Sequence, residues 1–260
     1  MAERLSNTRE QKGFTRSTIR AWALLCIILG TAGFAILQNG LLNVHGTDGN
    51  ALLKAMQASS DVMGMATVAI VLQAIHSCAA PLYAFLLVEG FTHTKSFGKY
   101  LLRVLGVAVL SELPFNLAVG GQWLALDSRN PAFALVLALL MLFLFRHFSG
   151  KGFVSGVVYV AVTAAAVVWS LMLGIFDGAP LVLLTVVLYA LRGKPTLRMI
   201  LGCVTAFACS IFSLYYMLAP ITMILLHFYN GEKGESNPWV DHLSYPAILL
   251  VLGIVGNYLI

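Results

Sequence analysis

PLYAFLLVEGFTHTKSFGKYLLRVLGVAVLSELPFNLAVGG, residues 81–121, contains the pattern that the rest of the chain repeats. One apolar run closes at Glu89 and Gly90. A polar gap then carries His93, Lys95, Lys99 and Arg103, and a second apolar run continues to Gly121. Such a stretch reads as two membrane helices joined by a basic turn, since lysine and arginine collect on one side of a bilayer and long apolar runs cross it. Working outward, further apolar segments lie at about 21–44, 62–90, 100–119, 131–148, 153–176, 179–192, 197–213, 216–229 and 243–260. The expectation is an all-α integral membrane protein, a polytopic bundle of about 8–9 transmembrane helices. Nine become eight if a single helix bends through Pro220 across the split near Leu214. The run 179–192 is short for a span and reads as tilted, partly buried or re-entrant.

Charge placement suggests an orientation. With nine spans, one set of alternate gaps (1–20, 91–103, 146–151, 192–198 and 230–242) holds 14 of the 16 basic residues, leaving Lys54 and Arg129 opposite. This predicts a cytoplasmic N-terminus. Residues 1–20 form a basic cytoplasmic segment and 21–260 a single transmembrane domain, with the LLKAMQ stretch near residue 52 suited to an interfacial helix. Of 260 residues 59% are hydrophobic and only 10% charged, which excludes a soluble core. The net charge of +5 is spread over short loops, a pattern that argues against nucleic acid as a partner. Cys26, Cys78, Cys203 and Cys209 lack metal-binding spacing and read as small hydrophobes, so no metal is expected.

Ionisable and polar groups inside apolar runs are expensive, and function is sought there. Glu112 lies within its run, with Asn116 four residues on and Pro114 between them. The two form one polar helical face, either a helix–helix hydrogen bond or the lining of a site. His76 is the one histidine clearly at membrane depth, a packing residue or a base. Glu89, Thr92, Lys99 and Arg103 make a polar, largely basic rim that suits phosphate groups, of a nucleotide-containing donor or of lipid headgroups. Asp177, before Gly178 and Pro180, is placed to cap the helix that follows. Asn230-Gly231 and Lys233-Gly234 mark a tight loop.

The block YAFLLVEGFTHTKSFGKYLLRVLGVAVLSELPFNLA at residues 83–118 resembles the middle block of TraX proteins, with its VEG-F-x-HT, K-Y-L-x-R and S-E-x-PF-N-L steps. Weaker likeness continues in NPAFALVLALLML, DGAPLVLLTVVLY, FYNGEKG and SYPAILLVL, so that order and spacing hold over about residues 18–256. The resemblance implies a multi-pass acyltransferase of the bacterial cytoplasmic membrane. Such an enzyme takes an acetyl or other acyl group from cytoplasmic acetyl-CoA or acyl-CoA to an acceptor: a pilin-like peptide, a glycan or a lipid. A general base, usually histidine, serves that chemistry. In this role Lys99 and Arg103, with Glu89 and Thr92, would hold the donor, while His76, Glu112 and Asn116 would line the interior site.

Two positions depart from the pattern. Where the family carries an Asp-His pair in the first span, this chain has Gly30 and Thr31. Where the family reads Tyr-Pro-x-His, it has Tyr245, Pro246, Ala247 and Ile248. Either another base such as His76 or Glu112 serves, or the chain is a non-catalytic membrane protein that binds or transports a small solute or lipid. A structural component of an envelope assembly is the third reading.

Overall fold

The computed structural model describes residues 13–44, 47–124, 128–235 and 237–260. Arg4, Arg9 and Lys12 of the basic N-terminal segment lie outside the described residues. Helices account for nearly all of the described chain, in the order α1 (Arg16–Leu41, π-helical from Gly33), α2 (Gly49–Ala58), α3 (Ser60–Ser77), α4 (Ala79–His93) and α5 (Phe97–Gly120). Then come α6 (Ala132–His147), α7 (Phe153–Met172), α8 (Gly178–Ala190), α9 (Pro195–Ala208), α10 (Pro220–His227) and α11 (Pro238–Ile254), the last ending in a π-helical turn over Val255–Leu259.

The chain is a multi-pass membrane protein, but the expectation of 8–9 transmembrane helices is corrected. Among the described residues, five helical stretches are long and apolar enough to cross a bilayer: Arg16–Leu41, Ser60–His93, Phe97–Gly120, Phe153–Met172 and Val240–Leu259. A hydrocarbon core of about 30 Å needs roughly 20 helical residues. The runs expected at 131–148, 179–192, 197–213 and 216–229 fall short of that. α6 has 16 residues, α8 13, α9 14 and α10 8. Pro131 sits at the helix N-cap of α6, Asp177 in left-handed backbone starts α8, and Pro195 and Pro220 open α9 and α10. Hydropathy averaging runs across these breaks, whereas backbone geometry does not. The assignment of a cytoplasmic N-terminus depended on counting nine crossings and is withdrawn with that count.

Proline also shapes the long stretches. Pro81 offers no N–H to the Ser77 carbonyl, and the helix breaks at Cys78, separating α3 from α4. Pro114 is carried inside α5 and Pro246 inside α11.

α4 and α8 form the centre of the bundle, with Leu82, Phe85, Phe91, Leu139, Leu142, Leu184 and Leu188 fully buried. At one end the loop after α10 clasps the start of α1. Phe14 N–H donates to the Phe228 carbonyl (2.9 Å), Asn230 N–H to Phe14 (3.0 Å) and Arg16 N–H to Glu232 (2.9 Å). At the other end α1 meets the tail of α11 so closely that a Cβ on Gly256 would lie 2.0 Å from the Ala35 carbonyl oxygen. Cys78 and Cys209 are buried and all four cysteines are free thiols.

Candidate functional site

A cavity of about 100 Å³ opens between α1, α3, α4, α5, α6, α8 and α11. Apolar side chains such as Leu24, Ile27 and Leu135 form much of its wall, and its polar groups are His76, Tyr83, Asp177, Ser244 and Tyr245, with Arg20 and Asp241 at one end.

His76 is 94% buried, since only 6% of its surface remains accessible. Its ring meets Phe34 and Phe176 edge-on, with centroids 5.8 and 5.9 Å away. Its Nδ1 is buried and has no hydrogen-bond partner among the described residues. The ring fits against Gly30 because that residue has no side chain: a Cβ there would lie 2.2 Å from the His76 Cβ and 2.5 Å from Nδ1. Thr31, next to it, is fully buried. His76 therefore fills the space beside the two positions at which the resemblance led one to expect an Asp-His pair.

Asp177 occupies the N-cap position of α8, but its backbone is left-handed (φ 54°) and its carboxyl makes no capping hydrogen bond. It lines the cavity instead. Burial pushes its carboxyl up to about 7, against the opposing influence of the Tyr216 hydroxyl.

Glu112 and Asn116 do not line this cavity. The Glu112 carboxylate accepts the backbone N–H of Asn130 at 3.0 Å and lies 3.4 Å from Arg129 Nη1. The tethered segment then pairs with the loop ahead of α8, Arg129 N–H donating to Gly174 (2.8 Å) and Phe176 N–H to Arg129 (2.9 Å). Phe176 packs on His76, and Asp177 follows it directly. Asn130 holds the other side. Its Oδ1 accepts the Tyr245 hydroxyl at 2.9 Å and the Ala132 N–H at 3.0 Å, while its Nδ2 donates to Ala108. Glu112 thus fixes the wall behind His76 without touching the cavity. Asn116 is buried one turn further on, and its Oδ1 has no partner among the described residues.

The expected rim is divided. Arg103 lines a second cavity of about 190 Å³ with Arg16, Arg20, Tyr100, Lys233, Asp241 and His242. Arg20 and Asp241 are ion-paired and line both cavities, so this pair stands between a basic vestibule and the interior. Glu89 accepts the Tyr229 hydroxyl at 3.3 Å and stands 3.6 Å from His93. Thr92 borders a separate cleft, and Lys99 is exposed and borders none of the three.

The vestibule depends on the tight loop before α11. Gly231 and Gly234 take positive φ there, 84° and 67°, and the loop carries Lys233 to the start of α1. Asp177, Tyr83, Tyr245 and the Arg20–Asp241 pair were not singled out from the sequence as cavity residues. The last of these joins residues 221 positions apart and leaves no local signal.

A family model described as TraX protein matches residues 16–256, and the chain belongs to that family. No curated protein and no solved structure gives a significant match.

Proposed function

We propose that this member of the TraX family transfers a short acyl group from a coenzyme A thioester to an acceptor nucleophile in the interior cavity, with His76 carrying the proton. The observation that supports this reading best is the meeting of two cavities at one ion pair. A vestibule bearing Arg16, Arg20, Arg103 and Lys233 adjoins, across Arg20–Asp241, a small interior space that presents His76.

In this scheme the donor's phosphates sit among the vestibule cations, where guanidinium forks and an ammonium bind phosphate oxygens. The thioester end reaches inward past Arg20 and Asp241. An acceptor N–H or O–H gives its proton to the imidazole, its lone pair attacks the thioester carbonyl, the C–S bond breaks, and the sulfur leaves with the proton returned by His76. A space of about 100 Å³ takes an acetyl group and the attacking atom. Glu112, Arg129 and Asn130 are positioning residues, keeping Phe176 against His76 and Asp177 at the wall.

The test is calorimetric titration of the purified protein with acetyl-CoA. Saturable binding, weakened about tenfold or more by Arg103→Gln with Lys233→Gln and unchanged by Lys99→Gln, is the expected result. Absence of binding to the wild-type protein overturns the reading. Binding without any consumption of thioester, across trial acceptors, leaves the non-catalytic binding role instead.

A further inference from the structure

Arg146 and Arg192 take no part in the interior cavity or its vestibule. Each faces an aromatic ring, and among the described residues neither is ion-paired with a carboxylate. The Arg146 guanidinium carbon stands 4.7 Å from the centre of the Phe91 ring. That of Arg192 stands 4.2 Å from Tyr189, whose carbonyl also accepts its Nη1 at 2.8 Å. The two rings meet edge-on at 5.9 Å, so the cations rest on adjoining platforms. Together they border a cleft of about 550 Å³, walled by Phe145, Tyr159 and Val186 and edged by Thr92 and Ser149. No lining residue is acidic, and none is shared with the other two cavities.

Three features of this cleft suit a ligand. A cation held over a ring keeps most of its N–H groups free, and among the described residues Arg192 commits one of its five donors, to the Tyr189 carbonyl. The Thr92 and Ser149 hydroxyls donate to the carbonyls of Glu89 (3.0 Å) and Arg146 (3.1 Å), which leaves lone pairs to accept from a ligand's hydroxyls. Tyr159 belongs to α7, the spanning helix with the least buried surface, on which Phe153, Val154, Val157 and Val160 are exposed. Arginines at the ends of α6 and α8 also offset the negative helix C-termini. That role requires charge near each helix end, but not two platforms turned to one cleft.

We propose that this cleft binds the phosphate of an anionic, hydroxyl-bearing phospholipid headgroup. The phosphate oxygens bridge Arg146 and Arg192, the headgroup hydroxyls donate to Thr92 and Ser149, and the acyl chains lie along the exposed face of α7. A free glycerol phosphate shares the headgroup chemistry, and the α7 face is what favours the lipid.

The experiment is native mass spectrometry of the full chain, delipidated in detergent and titrated with phosphatidylglycerol, phosphatidylcholine or glycerol phosphate. The wild-type protein is expected to hold phosphatidylglycerol at least about tenfold more tightly than phosphatidylcholine. Arg146→Gln with Arg192→Gln is expected to remove that preference while leaving acetyl-CoA binding in place. Equal retention of both lipids by the wild-type protein overturns the proposal, whether or not the double variant folds. So does an unchanged preference in a folded double variant. Glycerol phosphate binding as tightly as the lipid overturns the lipid assignment and makes the cleft a soluble-phosphate site.

Discussion

His76 and Glu112 both lie in long apolar helices and both are costly to place there, yet their surroundings differ. Glu112 is satisfied: an N–H, a guanidinium and, through them, a paired loop absorb its charge. His76 is wrapped by Phe34, Phe176 and Gly30, has a buried nitrogen without a partner among the described residues, and borders a cavity. Intramembrane polarity alone does not identify a reacting group. A group whose hydrogen-bonding capacity is already used by the fold is performing a structural task, whereas one left unpaired beside open space is available to a ligand.

Removing each group's surroundings in turn sharpens this contrast. The largest loss of stability is expected for Glu112→Ala. It strips the acceptor from Asn130 N–H and leaves Arg129 unpaired, at about 2–4 kcal/mol. Thermal unfolding in detergent checks it, and a change within about 0.5 kcal/mol would place Glu112 outside the load on this loop. Gly30→Ala acts on the other member of the comparison. Its Cβ collides with His76, so about 1–3 kcal/mol is expected. Gly106→Ala, with nothing within 4 Å of the added carbon, should be neutral or slightly stabilising. Equal effects at the two glycines would mean that His76 is not closely seated.

A further effect concerns pH. The folded state holds the Asp177 proton up to about 7, against the ordinary 3.8. The folded chain therefore binds more protons than the unfolded chain between those values, and stability falls as pH rises through that window. A melting temperature that declines from pH 5 to pH 8, with the slope reduced by Asp177→Asn, is the expected outcome. An identical slope in the variant would remove Asp177 as its source.

Much of this architecture was legible in residues 81–121. The apolar runs at 62–90 and 100–119 and the polar gap between them follow from the sequence, while the helices reach three residues into that gap from each side, to His93 and from Phe97. The run that becomes α8 reads as short from the sequence, but the break at Cys78 and the shortness of α6, α9 and α10 do not show there, because a hydrophobic turn scores like a hydrophobic helix. His76 stood out as a lone histidine at depth. Asp177 looked like a helix cap, and only its left-handed backbone turns it towards the cavity. Tyr83 gives no signal, since buried tyrosine is ordinary in a core, and Tyr245 stands out only as part of the Tyr-Pro pair, not as a cavity residue. Arg103 was noticed as part of a basic rim. Its partners Arg16, Arg20 and Lys233 come from segments that only the loop around Gly231 and Gly234 brings together.

The most direct test of the central claim is the rate at which the purified protein consumes acetyl-CoA in the presence of native membrane extract, compared between wild type and His76→Gln. Donor binding and thermal stability are measured on the same samples. The account expects the rate to fall about 10²–10⁴-fold while donor affinity stays within about threefold. A folded His76→Gln protein that consumes acetyl-CoA at the wild-type rate would contradict it.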